Sequence, residues 1–288
     1  MQSNEELEKN WVQTFINYLQ TTKHDQSDAS HDLEHFRRVA RTATCISLTE
    51  IPPVDSLVLA AAAYFHDIVC LPKNHPESKL SSRYSAEKAG NILAQLGFPK
   101  EKIDPVCHAI LAHSFSAGVA PNTIEAKIIQ DADRMEALGA LGIMRTFYVS
   151  GRMRTAPYHP SDLFAKRRPF DDKAFALDHF YCKLFKLPDL FQTKGGRQIA
   201  LKRAEFLELF VKELALDVEN EGGAAYTVAW TCYHAGVYNG RFFDQRDPFA
   251  GSRALNPDFI LDNLIKQAQR FPNFLDLFID QIRTEIEV

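Results

Sequence analysis

Residues 57–67 read LVLAAAAYFHD, and they decide how the rest of the chain is interpreted. The first nine residues include four consecutive alanines, contain no Gly or Pro, and are apolar on every face of a helix. This composition predicts a helix that is buried on all sides. His66 and Asp67 follow at its end, where a buried carboxylate is costly unless it has a partner. A metal ion shared with the imidazole is one such partner, and it requires further ligands elsewhere in the chain.

The composition is that of an ordinary soluble globular protein. The 288 residues are 45% hydrophobic and 24% charged, with 33 basic and 37 acidic side chains, so we do not expect a nucleic-acid partner. Five widely spaced cysteines without a CxxC motif indicate neither a disulfide framework nor a zinc knuckle. The acidic, polar amino terminus differs from a signal peptide, and no long uncharged apolar stretch predicts a membrane span. We therefore expect a cytoplasmic protein without a membrane partner.

The hydrophobic periodicity predicts an all-α fold, because no alternating strand pattern appears before residue 222. Ser30 or Asp32 is predicted to cap the second helix. Two long polar segments, residues 71–82 and 150–172, are predicted to be loops near the site. Residues 1–221 are predicted to form the main domain, and the aromatic-rich residues 222–288 an extension that packs on it or self-associates. The predicted helices of the main domain cover residues 5–20, 35–46, 57–65, 85–96, 103–113, 124–145, 173–187 and 195–218.

Candidate ligands lie on both sides of the His66-Asp67 pair. Upstream, His31 and His35 are four residues apart and share a helix face, so either could point towards the pair. Downstream, Asp131 and Asp133 project about 200° apart on a helix, so only one of them is expected to reach the same ion. Two imidazoles and two carboxylates form a mixed nitrogen and oxygen shell that suits Mn²⁺, Fe²⁺, Ni²⁺ or Zn²⁺. An octahedral ion would keep two positions for water and a phosphate oxygen.

Three motifs resemble the signature of the HD-domain metal-dependent phosphohydrolases, in the order that the family has them. They are HDLEHFRRV at 31–39, FHDIV at 65–69 and QDADRMEALGALG at 130–142. Residues 1 to about 220 resemble in particular the small bacterial YedJ-like branch, through YFHDIVCLPKNHP, AILAHSFSAGVAP and RRPFDDKAFALDHF. This resemblance implies a helical bundle around a metal site, with a C-terminal extension outside the match.

The resemblance also implies which candidates are ligands. His35 is preferred over His31 because it precedes the RRV segment, and Asp133 over Asp131 because it precedes a basic residue. The implied metal ligands are His35, His66, Asp67 and Asp133. Mn²⁺ is the first expectation for the ion, with Fe²⁺, Ni²⁺, Zn²⁺ and Mg²⁺ as alternatives. Some branches carry an acidic base shortly after the HD pair, but this chain has Ile68, Val69, Cys70 and Leu71 there.

The expected reaction is hydrolysis of a phosphomonoester or pyrophosphate bond in a nucleotide-like substrate, possible because a metal ion lowers the pKa of water from about 15.7 towards 7. Arg134, next to a ligand, and His113, as a proton donor or a ligand of a second metal, are the predicted catalytic residues. The predicted phosphate-binding residues are Lys73, Arg83, Arg167 and Arg168. A nucleotide-binding sensor without hydrolysis is the alternative function.

Simpler roles compete with several of these predictions. His31 is also a candidate for a cap or for a residue that orients a ligand, and Asp131 for an orienting or a solvated residue. A hydrogen-bonded structural role is the alternative for His113, and it is the expectation for His108. Arg37 and Arg38 are expected to be surface charges.

Overall fold

A computed structural model of the protein describes residues 4–21, 32–51, 54–71 and 75–218, and these ranges are mostly helical. Within them the β-structure is limited to an isolated bridge between Ala156 and Phe175, which confirms the all-α prediction. The chain divides into two compact units, residues 1–208 and 209–288. The predicted extension, residues 222–288, lies outside the described residues, as do His31, Ser30 and Lys73.

Some connections between the described helices contain 3-10 segments, which are Ser78–Leu80, Phe115–Ala117, Met135–Ala137 and Leu184–Leu190. No described helix is both long enough and apolar enough to cross a bilayer. The helices are α1 (Asn4–Thr21), α2 (Leu33–Ser47), α3 (Ser56–Phe65), α4 (Ser81–Gln95), α5 (Lys100–His113), α6 (Ile124–Arg134), α7 (Gly139–Arg152), α8 (Asp178–Cys182) and α9 (Lys194–Val218).

Helix α3 lies at the centre of the bundle, as its all-apolar sequence predicts. It packs against α1, α2, α4, α5 and α6, and eight of its ten residues are buried. Asp55 caps its first turn, because the carboxylate accepts hydrogen bonds from the backbone N–H groups of Leu57 and Val58. Because α3 is buried along almost its whole length, its carboxyl end lies inside the bundle. His66 and Asp67, which follow this end, are therefore in the interior.

Helix α2 begins at a cap that also positions a candidate ligand. Asp32 accepts a hydrogen bond of 2.8 Å from the backbone N–H of His35, which selects Asp32 among the two predicted caps. The buried face of the helix carries His35, Phe36 and Val39 towards α3 and α6. The cap thus sets the register that turns His35 inwards.

The continuous helix predicted over residues 124–145 is wrong, because the chain breaks between α6 and α7. Gly139 has a φ of +70°, a left-handed conformation that L side chains rarely adopt. After the break, Gly142 approaches Ala137 so closely that an added Cβ would lie 2.3 Å from the carbonyl oxygen. The two glycines, whose predicted effect was a bend or a close approach, therefore produce a full helix break.

The helix predicted over residues 173–187 is also largely wrong, since only Asp178–Cys182 is α-helical. Its first part is held by the chain beside it: Ala176 donates to the carbonyl of Ala156, and Leu177 donates to that of Pro157. These bonds take up N–H groups that a longer helix would need. The loop predicted over residues 150–172 is therefore found over residues 153–177, between α7 and α8.

Candidate metal centre

Three helices bring four polar side chains to one point. His35 comes from α2, His66 and Asp67 follow α3, and Asp133 lies near the end of α6. Each offers one ligand atom, and these four atoms all lie within 4.8 Å of one another. The Nε2 atoms of His35 and His66 are 3.0 Å apart, and Asp133 Oδ1 lies 3.7 Å from each of them. Within the described residues, this is the group of His, Cys, Asp and Glu side chains that could hold a metal ion.

The two imidazoles turn the same nitrogen towards this point. His66 Nδ1 lies 2.9 Å from the carbonyl oxygen of Ala63, one turn earlier. A carbonyl oxygen only accepts, so Nδ1 must carry the proton, and the neutral ring keeps its lone pair on Nε2. That lone pair is directed at the centre of the cluster, where a cation would accept it.

The ionisation states of the cluster also favour a cation. Both histidine side chains are fully buried, and burial lowers the pKa of His35, which keeps its ring neutral. Burial opposes ionisation of Asp133, but the neighbouring imidazoles, His66 first, stabilise its carboxylate and hold the pKa of Asp133 below its ordinary range. Neutral imidazole and ionised carboxylate are the forms that ligate a metal ion. The donor set therefore fits a divalent cation.

His113 lies directly beside the cluster. Its Nε2 is 3.3 Å from Asp67 Oδ1, and its Nδ1 is 2.6 Å from the carbonyl oxygen of Ile110. Burial disfavours the charged ring, but the hydrogen bond and charge of Asp67 prevail and raise the pKa of His113 to about 9. The predicted position of His113 at the site is thus found, and in the metal-free protein its ring carries a proton that points at a candidate ligand.

Sequence reasoning missed Glu136, which lies behind His35. Glu136 is 3% exposed, and its Oε2 is 3.5 Å from His35 Nδ1, the outer limit of a hydrogen bond. The same oxygen accepts a hydrogen bond of 2.8 Å from Arg38 Nε, so the expectation that Arg38 is a surface charge is wrong. Burial raises the pKa of Glu136, but these two partners overcome that effect and lower it. One sequence signal could have identified Glu136: it lies three residues after Asp133, as Arg38 lies three residues after His35.

Asp131 has a structural position instead of a solvated one. It is fully buried and accepts hydrogen bonds from the backbone N–H groups of Gln192 and Thr193 and from the Thr193 hydroxyl. The Thr193 hydroxyl in turn accepts from the N–H of Gly196 in the first turn of α9. Asp131 therefore anchors the start of α9, and the solvated alternative is wrong.

Arg134 is engaged by the same part of the chain. Its guanidinium donates to the carbonyl of Leu190 and, at 3.1 Å, to Gln130 Oε1, and it lies over the ring of Phe191. The catalytic role of Arg134 stays a prediction. A phosphate contact would require the guanidinium to exchange these bonds.

The predicted phosphate-binding arginines all have acceptors of their own. Arg83 lies on α4 instead of in a loop and pairs with Glu87 on the exposed face. Arg168 forms a bidentate pair with the buried Asp178, at 2.5 and 2.9 Å, and Arg167 donates to the carbonyl of Ser161. Their role in substrate binding stays a prediction, and that of Lys73 falls outside the described residues. His108 accepts from the N–H of Asn122, as a structural histidine would.

Known proteins share this arrangement of helices. Residues 32–138, which contain all four cluster residues, match the family model of the HD domain. The chain is 32% identical over 216 residues to YpgQ of Bacillus subtilis strain 168, covering 73% of this chain and 91% of YpgQ. The crystal structure of YpgQ in complex with ADP is similar with a TM-score of 0.56 and 30% identity, over 73% of this chain and 96% of that one. An HD-superfamily hydrolase from Bacillus thuringiensis is similar with a TM-score of 0.57 and 30% identity, over 73% and 97% of the two chains.

Proposed function

Because this chain belongs to the HD-domain family, we propose that it is a metal-dependent phosphohydrolase that cleaves a phosphomonoester or pyrophosphate bond in a nucleotide-like substrate. The observation that carries the proposal is the cluster of two imidazoles and two carboxylates whose ligand atoms all lie within 4.8 Å of one another. Thiolates are absent from this cluster, so it suits ions that favour nitrogen and oxygen ligands. We propose His35, His66, Asp67 and Asp133 as ligands and Mn²⁺ as the first ion to test.

A nucleotide is the substrate class that the relatives support. YpgQ, which shares 30% of its residues with this chain in the structural comparison, binds ADP in its crystal structure. A nucleoside diphosphate carries a pyrophosphate bond, and the monophosphate left when that bond is cleaved is a phosphomonoester. We therefore place nucleotides first among the phosphorylated small molecules to test.

Each residue of the cluster, and His113 beside it, has a separate part in the proposed reaction. A bound divalent ion would polarise a phosphate oxygen and lower the pKa of an attacking water. His35 and His66 hold their Nε2 lone pairs towards the ion site, and Asp67 and Asp133 supply negative charge there. His113 holds a proton on Nε2 within 3.3 Å of Asp67, at the edge of the cluster, where a leaving oxygen would need one.

The proposal is tested with purified protein, a panel of nucleoside mono-, di- and triphosphates, and Mn²⁺, followed by release of phosphate or pyrophosphate. We expect turnover with Mn²⁺, loss of turnover with a chelator, and turnover below the detection limit in Asp67→Ala. Asp189→Ala is the matched control, because it removes an exposed carboxylate whose partner is Arg197. Tight nucleotide binding without turnover under any divalent metal would overturn hydrolysis in favour of the sensor.

A further inference from the structure

Two pairs of side chains face each other between α2 and the end of α6. His35 and Arg38 are three residues apart on α2, and Asp133 and Glu136 are three residues apart across α6 and the following 3-10 turn. His35 faces Asp133 at 3.7 Å, and Arg38 faces Glu136 at 2.8 Å. Glu136 Oε2 also lies 3.5 Å from His35 Nδ1. Glu136 therefore contacts the side of His35 that faces away from the other ligands.

We propose that Glu136 is a positioning residue for the metal centre, which holds the ring of His35 with Nε2 directed at the ion site, while Arg38 holds Glu136 in place. This inference rests on the proposed function, because it takes His35 to be a metal ligand. Glu136 touches neither the ion site nor a substrate. Its effect reaches the metal through His35.

The burial of Glu136 is the first argument for this role. A carboxylate that is 3% exposed requires partners that compensate for its lost hydration. The structure provides Arg38 Nε and His35 Nδ1 on the same oxygen. A carboxylate that accepts the Nδ1 proton of a histidine fixes the tautomer with its lone pair on Nε2 and makes that nitrogen a stronger ligand.

The contrast with His66 is the second argument. His66 Nδ1 is held by the carbonyl oxygen of Ala63, which belongs to the same turn and is neutral. His35 Nδ1 faces an ionised side chain from another helix, which is itself fixed by a guanidinium. Of the two imidazoles, His35 is therefore the one whose orientation depends on a side chain that can be replaced without altering a backbone group or a ligand.

The first test is the Mn²⁺ affinity of the metal-stripped full chain, measured by calorimetry. Glu136→Gln keeps the shape of the side chain and removes its charge, so we expect affinity to fall about 10–100-fold, the range for residues that support a ligand. Glu34→Gln is the matched control, because it removes a carboxylate that pairs with Arg37 on the exposed side of α2. We expect little change in this control.

Arg38 supplies a second variant that does not depend on how Glu136→Gln folds. Arg38→Gln leaves the carboxylate in place but removes the group that fixes it, so we expect a smaller loss of Mn²⁺ affinity. The double variant should lose no more than Glu136→Gln alone, because both residues act through His35. Circular dichroism and melting of each variant report whether the helices are intact.

The tautomer of His35 gives a readout that a merely structural role would not move. In metal-free protein with ¹⁵N-labelled histidine, the His35 ring, assigned with His35→Gln, should carry its proton on Nδ1. In Glu136→Leu, which leaves no acceptor beside Nδ1, the His35 ring should populate the other tautomer, while His66 keeps its own.

The outcomes separate this inference from the proposed function. Unchanged Mn²⁺ affinity in both Glu136→Gln and Arg38→Gln, together with an unchanged His35 tautomer in Glu136→Leu, would overturn the inference alone. Wild-type protein that binds Mn²⁺ with the expected pattern among the variants but hydrolyses no nucleotide would overturn the proposed function alone. Wild-type protein that binds no divalent metal would overturn both.

Discussion

At the scale of single residues, the carboxylates in and beside the cluster each have a basic side chain as a partner. Asp67, Asp133 and Glu136 each have an imidazole or guanidinium within 4 Å. Such pairs satisfy groups that would otherwise be costly to remove from water. The pair of His113 and Asp67 has a consequence for stability that can be measured.

We predict that His113 stabilises the metal-free protein at low pH and loses this effect as the pH rises. Its folded pKa is raised from 6.5 to about 9, so the contribution is fully present below pH 6.5 and disappears as the pH rises through about 9. At pH 6 the contribution is at most about 3 kcal/mol, from about 1.4 kcal/mol per pKa unit. The measurement is the free energy of unfolding in urea of wild-type and His113→Gln protein, both with chelator, between pH 6 and pH 9.5. A difference between the two proteins that does not vary with pH would contradict the prediction.

The sequence predicted which four side chains lie together better than it predicted the residues around them. His35, His66, Asp67 and Asp133 sit in short motifs whose spacing is visible without a structure. Glu136 and Arg38 are 98 residues apart, and their contact depends on how α2 crosses the end of α6. The same limit applies to Arg134 and Arg168, because the sequence does not show that Leu190 and Asp178 occupy them. A charged residue near a motif in the sequence therefore does not show whether its side chain already has a partner in the fold.

At the scale of helices, the apolar pattern predicted that the helices exist and which of them are buried, but it did not predict where every helix ends. Residues on both sides of Gly139 follow a helical period, so the break between α6 and α7 is invisible to a periodicity argument. The break lies in the local backbone geometry of Leu138, which is extended, and of Gly139, which has a φ of +70°. It also ends α6 shortly after Asp133 and leaves Glu136 on a separate turn.

We predict that Gly139→Ala lowers the free energy of unfolding by about 1–2 kcal/mol, because alanine is strained at a φ of +70°. Gly151→Ala is the matched control on the same helix. A Cβ there has no heavy atom within 4 Å and the backbone is helical, so this change should stabilise by up to about 1 kcal/mol. Urea unfolding of both variants gives the comparison, and an equal effect of the two substitutions would show that the break does not depend on glycine.

At the scale of the whole molecule, the sequence predicted the helical class and the meeting of three distant motifs at one site. The helical class follows from the periodicity, and the meeting of the motifs is what their resemblance to the HD-domain signature implies. The finer resemblance to the YedJ-like branch and the division at residue 221 stay predictions. The solved relatives cited above are covered over 96% and 97% of their length by 73% of this chain.

We predict that a chain ending at residue 221 binds Mn²⁺ with the affinity of the full chain. The four proposed ligands, Glu136 and Arg38 all lie between residues 32 and 138, within the matched HD domain. The measurement is calorimetric titration of both metal-stripped proteins, with circular dichroism to compare their helix content. A folded shorter chain that has lost Mn²⁺ binding would assign residues 222–288 a part in the site.

The meeting of α2, the end of α3 and α6 at four ligand atoms also bears on how the protein folds. Bringing these segments together closes two long loops, and each closure costs chain entropy before any contact repays it. An ion that binds only when all three helices are in place adds its binding free energy to the folded state, about 2.7 kcal/mol when its free concentration is a hundred times the Kd. Metal supply would then change the fraction of the protein that is folded. In a cell short of the metal, a larger share of the chains would be unfolded at equilibrium.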